Sequence, residues 1–217
     1  DKEDWEKVRP DVEQIYNPLT FVSDEVSPLT GKRCVAVGRL EAQKNFKDLI
    51  KAWKTVDGRH PDWTLSIFGK GSQENELRNL IKDSGLAGKV ILEGGTSDIR
   101  KELLDSSCLV MSSRYEGFPM VLLEALTTGL PIVSYDCPKG PSEIVTIGAN
   151  GYLAKVGDTG TLAQGICSVI ANEDLRRRFG AESKRRSENF TLEKTMERWD
   201  RLFSSLTTSR TRTSSEG

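Results

Sequence analysis

The chain has 217 residues, with 31 Lys and Arg against 32 Asp and Glu and a formal net charge of −1. That length holds one generous domain and is marginal for two. The balanced charge argues against a general nucleic-acid binder, which carries a basic excess. No apolar run approaches the roughly 20 residues of a membrane-spanning helix, and no secretory signal opens the chain. The four cysteines (Cys34, Cys108, Cys137, Cys167) are scattered and read as small buried thiols of a reducing compartment. Neither they nor His60, the only histidine, have metal-ligand spacing, and no metal or cofactor is expected.

Residues 1–30 read as a leading or linking segment with a mobile polar start, and its Asp11 and Glu13 make no persuasive carboxylate pair for a metal. From residue 31 apolar runs alternate with amphipathic stretches. Strands are predicted over 34–37, 63–68, 90–92, 108–111, 131–134 and 151–154. Between them the spacing predicts helices over 46–56, 74–82, 99–104, the stretch after Pro119, and near 142–145. Helices over 159–171, 173–186 and 192–206 close the folded part, and 207–217 reads as a flexible tail. Four- to six-residue apolar strands alternating with helices predict an α/β fold, a doubly wound parallel sheet with helices on both faces. In such sheets ligands bind outside the carboxyl ends of the strands. Every polar motif picked out below falls on a loop at that edge, and the opposite edge carries no comparable cluster.

The loop after the first strand holds Gly38, Arg39 and Lys44. Gly38 leaves room for a ligand. The two cations suit a diphosphate, for which Arg offers a planar fork and Lys a mobile point charge; the alternative is a pair of solvated surface charges. The second loop, with Gly69 and Gly71, departs from the dinucleotide fingerprint because Glu74 stands where a third small residue belongs. Those glycines read as backbone relief beside the ligand or as a plain turn. Gly95, Thr96 and Asp98 in the third loop either read a nucleobase edge or form a turn that ends in an Asp cap.

The fourth loop is the most telling. Glu116-Gly117-Phe118-Pro119 is followed by Glu124, eight positions after the first glutamate. Pro119 fits the first turn of a helix whose N-terminus suits a phosphate. Glu124 sits among Val121, Leu122, Leu123, Ala125 and Leu126, so its carboxylate is partly buried and needs partners. Hydroxyl-binding carboxylates beside a phosphate seat point to a nucleotide sugar. The fifth loop, Lys139-Gly140-Pro141-Ser142-Glu143, borders that sugar or is structural. His60 reads as a surface residue, and the basic runs 176–178 and 184–186 read as solvated faces, with anionic-membrane contact as the minority alternative.

Taken together, Gly38-Arg39 with Lys44, Phe68-Gly69-Lys70-Gly71, Glu116-Gly117-Phe118-Pro119 with Glu124, and Gly140-Pro141-Ser142-Glu143 resemble the C-terminal, Rossmann-like half of the GT-B-fold retaining glycosyltransferases of family 4, the group 1 glycosyltransferases. The resemblance covers residues 31–172, and Tyr16-Asn17-Pro18-Leu19 resembles the family's interdomain connection. It implies that Arg39 and Lys44 neutralise the donor diphosphate and that Glu124 holds the ribose hydroxyls. It implies further that Glu116 contacts the donor sugar, that the amides around Phe118 seat the phosphate, and that Gly95, Thr96 and Asp98 hold the base.

The implied activity is sugar transfer from a nucleotide diphosphate, UDP by family frequency, without a metal. Glu116, Arg39 and Lys44 would be the catalytic groups, in bacterial-type polysaccharide synthesis in the cytoplasm or at the inner membrane face. The acceptor would lie largely on an N-terminal partner domain absent from this chain. The other readings are a non-catalytic nucleotide or anion-binding module on the same fold and a sugar-nucleotide epimerase.

Overall fold

The computed structural model describes residues 5–8 and 12–213. Asp11, most of the polar start and the last four residues of the expected tail lie outside the described residues. In chain order the elements are β1 (Arg33–Val37), α1 (Phe46–Arg59), β2 (Thr64–Phe68), α2 (Glu74–Asp83), β3 (Val90–Gly94), α3 (Ile99–Leu104) and β4 (Cys108–Met111). Then follow α4 (Met120–Thr127), β5 (Ile132–Tyr135), α5 (Pro141–Ile144), β6 (Gly151–Ala154), α6 (Thr159–Ala171) and α7 (Glu173–Ser187). A 3-10 turn (Glu188–Phe190) leads into α8 (Leu192–Thr213).

The six strands form one sheet in the order β3-β2-β1-β4-β5-β6, and every pair is parallel. This is the doubly wound arrangement the alternation predicts. The inner strands β1, β2, β4 and β5 are buried on both faces, as a helix-covered sheet requires, whereas the edge strand β3 exposes Ile91 and Glu93. Cys34, Ala36, Cys108 and Val110 join one core with α1, α2 and α6. Val35, Leu109, Met111 and Ile132 join a second with α3, α4 and α5. The leading segment belongs to that second core: Tyr16, Leu19 and Phe21 pack on it and Leu29 is buried in it. Each buried Leu or Ile contributes roughly 1.5–3 kcal/mol, against about 0–1 kcal/mol for a surface ion pair. Apolar packing therefore holds the carboxyl edge in place.

Several boundaries differ from the sequence reading. Helix α1 continues through Gly58, and the His60 N–H caps it on the Val56 carbonyl at 2.8 Å. His60 is half-buried rather than a surface residue. Helix α8 runs past 206 to Thr213.

The larger correction concerns the basic runs. Arg176 is 5% exposed, and its guanidinium donates to the carbonyls of Leu29, Val169 and Ile170 at 2.9–3.2 Å while lying over the Trp63 ring. Lys184 donates to the Thr127 carbonyl at 3.1 Å and also bonds the Ser23 carbonyl. Arg186 donates to the Ile144 carbonyl at 3.1 Å. The Val169, Ile170, Thr127 and Ile144 carbonyls lie at the carboxyl ends of α6, α4 and α5, where the helix dipole favours a cation, whereas those of Leu29 and Ser23 belong to the leading segment. Arg177 and Arg185 do pair on the surface, with Glu173 and Glu182.

Candidate functional site

The chain leaves β1 toward β2 on one side and reaches β4 on the other, so the strand order reverses between β1 and β4. In doubly wound sheets ligands bind at such a point. The loops that follow these two strands are laced together there. The Arg114 N–H donates to the Gln43 carbonyl at 2.8 Å, the Gln43 side-chain amide to the Tyr115 carbonyl at 2.9 Å, and the Ser112 hydroxyl to the Lys44 carbonyl at 2.8 Å.

This lacing joins Lys44 to Glu116. Lys44 Nζ lies 2.7 Å from Glu116 Oε1, and the two side chains are only 17% and 8% exposed. Gly38 contributes in a way the sequence does not suggest. A Cβ there would lie 2.9 Å from the Lys44 stem, so the missing side chain makes room for the lysine. Asn45, next in the chain, takes a left-handed backbone (φ 52°, ψ 41°), tolerated by Asn better than by most residues. Its side-chain amide donates to Asp48 at 2.7 Å.

Helix α4 begins beside this pair. Pro119 is the residue before the helix (φ −78°, ψ 93°) rather than in its first turn as expected, and its carbonyl accepts from the Leu122 N–H. The first helical amides, at Met120 and Val121, therefore precede the helix's own hydrogen bonding. Gly140 closes the β5 loop on this point at φ 115°, where a Cβ would lie 2.3 Å from Pro119 Cδ. Cys137, buried in that loop, has its thiol pushed up to about 11 by burial and then by the neighbouring Glu116 carboxylate.

Glu124 is half-buried on α4, and desolvation holds its carboxyl above the usual carboxylate range. Oε1 accepts a hydrogen bond from the Thr20 hydroxyl at 2.8 Å, and that bond works against the upward push.

The other expected site residues are less tightly gathered. Arg39 is exposed, with Nη2 3.4 Å from Gln43 Oε1. Gly69 and Gly71 give relief to the protein's own backbone: a Cβ would come within 1.9 Å of the Gly38 carbonyl oxygen and 2.5 Å of the Leu40 carbonyl oxygen. Gly95 is exposed next to Lys70. Thr96 accepts from the Asp98 N–H at 3.1 Å, and Asp98 caps α3 by accepting from the Lys101 N–H at 3.0 Å, so both side chains already serve the turn. Gly117 stands open, with nothing near a Cβ built on it. Phe118 turns toward the leading segment and stacks on Tyr16, with ring centroids 5.2 Å apart.

Several organising residues were not singled out from sequence. Glu41 ties the first loop to the second by accepting from the Ser72 N–H and hydroxyl at 2.8 and 2.7 Å, which holds its carboxyl below the ordinary range. Gln43, Ser112 and Thr20 likewise act through backbone or long-range partners, and no local pattern marks them. Among the described residues no group of three His, Cys, Asp or Glu converges on a metal-sized site. No helix there is long and apolar enough to cross a membrane.

Comparison with known proteins supplies the family. Its description, "Glycosyl transferases group 1", matches residues 21–186. This chain belongs to the group 1 glycosyltransferases. An uncharacterized glycosyltransferase of Haemophilus influenzae is 32% identical to this group 1 chain over 186 residues, 85% of the chain and 53% of the relative. A lipopolysaccharide 1,6-galactosyltransferase of Salmonella typhimurium is 31% identical over 172 residues, 75% of the chain and 47% of the relative. A crystal structure of Staphylococcus aureus TarM in complex with Fondaparinux, alpha-GlcNAc-glycerol and UDP superposes with TM-score 0.82 at 26% identity, over 93% of this chain and 42% of TarM. The group 1 chain thus spans about half the length of these relatives, and its sheet is the Rossmann-like α/β sheet of GT-B glycosyltransferases.

Proposed function

We propose that this chain is the donor-binding domain of a retaining glycosyltransferase that takes a UDP-sugar and builds bacterial-type surface polysaccharide or glycoconjugate. The observation that carries the reading is the Lys44–Glu116 pair at the strand-order reversal, beside the start of α4. A diphosphate needs concentrated positive charge and free N–H donors. Lys44, Arg39 and the first amides of α4 supply both at one edge. Glu116 neutralises Lys44, so the lysine is held in place without an isolated, poorly solvated charge. When the sugar–phosphate bond breaks, Lys44, Arg39 and the helix end offset the charge that grows on the departing diphosphate. Glu116 lies on the side from which the donor sugar is reached, and Glu124 takes the ribose hydroxyls. Gly69, Gly71, Gly95, Thr96 and Asp98 border the nucleoside, more through backbone than side chain.

UDP as the nucleotide is supported by the UDP-bound TarM structure, and a surface-polysaccharide product by the Salmonella relative. Galactose or an N-acetylhexosamine fits both names. The four free, buried cysteines suit a reducing cytoplasmic setting. The acceptor is expected on an N-terminal partner domain, so this chain alone binds the donor and transfers sugar poorly.

Calorimetric titration with UDP, UDP-galactose, UDP-N-acetylglucosamine and NAD tests the proposal. Binding of UDP and a UDP-sugar with weaker NAD binding is expected. Tighter binding of NAD than of UDP overturns the donor assignment.

A further inference from the structure

Among the described residues, one side chain outside the site loops touches a proposed ligand-binding carboxylate. Thr20, in the leading segment, donates its hydroxyl to Glu124 Oε1 at 2.8 Å. No other hydrogen bond to the Glu124 carboxylate is formed among the described residues. Glu124 projects from an otherwise apolar helix, where an unpartnered carboxylate is costly and free to choose among rotamers.

Thr20 itself is exposed, yet the backbone on either side of it is fixed. Before it, the Leu19 N–H donates to the Phe190 carbonyl at 2.8 Å, and Tyr16 stacks on Phe118 while its ring lies 5.8 Å from that of Phe190. After it, the N–H of fully buried Ser23 donates to the Thr127 hydroxyl at 3.0 Å. The segment also reaches the fifth loop, where the Gln14 amide donates to Glu143 at 3.0 Å. An exposed hydroxyl normally wanders; this one is carried on a strap anchored at Leu19 and Ser23. It meets one oxygen of a carboxylate with about four acceptor positions, so room remains for a diol.

We propose that Thr20 is a positioning residue: it fixes the Glu124 carboxylate in the orientation that receives the ribose hydroxyls. This rests on the reading of Glu124 as the ribose ligand. The donor site would then be completed by the segment ahead of the sheet, not by the sheet's own loops alone. A nucleoside gains from this arrangement and a bare diphosphate does not, because only the nucleoside carries the diol.

The test is calorimetry with UDP, uridine and inorganic pyrophosphate on the unsubstituted chain, Thr20→Val, Thr20→Ser and the Glu124→Ala forms. Thr20→Val keeps shape and loses the donor; Thr20→Ser keeps the donor. UDP and uridine affinity is expected to fall about tenfold in Thr20→Val, the size of one hydrogen bond to a charged group, and to recover in Thr20→Ser. Pyrophosphate affinity should not change, and Thr20→Val should add nothing in the Glu124→Ala background. Unchanged uridine affinity in Thr20→Val overturns the proposal, as does an equal loss for pyrophosphate, which would mean general damage. Failure of the unsubstituted chain to bind UDP sinks the donor reading itself and this inference with it.

Discussion

Two sets of buried or half-buried cations behave oppositely in this fold. On α7, Arg176, Lys184 and Arg186 are satisfied by main-chain carbonyls, at helix ends and in the leading segment. At the carboxyl edge of the sheet, Lys44 is satisfied by a side-chain carboxylate, Glu116. The first kind of partner is main chain and cannot turn away by a side-chain rotation. The second can rotate away or share its cation when an anion arrives. Main-chain partners mark the α7 cations as scaffold, whereas a side-chain partner leaves Lys44 open to the proposed donor role. Residue type does not separate the two; the partner does.

The strongest way to break that distinction is Arg176→Ala. It leaves three carbonyls without their donor and a cavity over Trp63, so unfolding in urea should show a loss of about 3–5 kcal/mol, with UDP affinity in the surviving folded fraction unchanged. A change in affinity would mean that α7 is not mere scaffold.

Lys44→Ala should do the reverse in emphasis. UDP binding is expected to weaken by about 1–3 kcal/mol by calorimetry. Stability should fall as well, since Glu116 is left unpaired in a poorly solvated place. Adding Glu116→Gln should recover part of that stability but not the affinity. Recovery of both would show the pair to be structural.

Arg39→Ala sharpens the contrast inside the site. Arg39 is exposed, so its removal should leave urea unfolding within about 0.5 kcal/mol of the unsubstituted chain. UDP affinity should fall at the lower end of about 1–3 kcal/mol, with the effect shrinking as salt rises. Equal affinities for UDP and uridine in the unsubstituted chain would remove the diphosphate role from both cations.

The smallest effect concerns pH. Burial raises the Glu124 carboxyl, so its folded-state value lies above its unfolded one. Above the raised value the ionised carboxylate carries its full desolvation cost, and as pH falls through it that cost is relieved. Glu124→Gln should therefore stabilise slightly at neutral pH, an advantage that fades on acidification. UDP affinity should move the other way, declining as Glu124 protonates. Urea midpoints and calorimetry at about pH 5 and pH 8 would check both signs; a stability advantage growing toward acid would contradict the burial argument.

Much of this was legible in the chain. The alternation of apolar runs with amphipathic stretches shows the strands and helices in order, because a strand buried on both faces has to be apolar throughout. That Lys44 and Glu116 follow strands ending at one edge was legible too, because the strands of such a sheet all run the same way. The α1 terminus was not, since Gly58 reads as a turn but is carried by a helix whose end is capped by His60. Nor was the role of Gly38, whereas Gly69 and Gly71 do give the backbone relief that the sequence suggests. At Gly38 the sequence suggests room for a ligand, and the packed loop uses that room for the Lys44 stem.

Local periodicity alone thus determined the α/β layering and the edge on which the polar loops gather, because it depends on side chains a few residues apart. Only the folded arrangement decided who meets whom: Lys44 with Glu116 across 72 positions, Thr20 with Glu124 across 104, and Arg176 with Leu29 across 147. Those meetings follow from how the crossovers bring distant segments to one place, and a hydrogen bond between distant segments leaves no repeat in the sequence that would announce it.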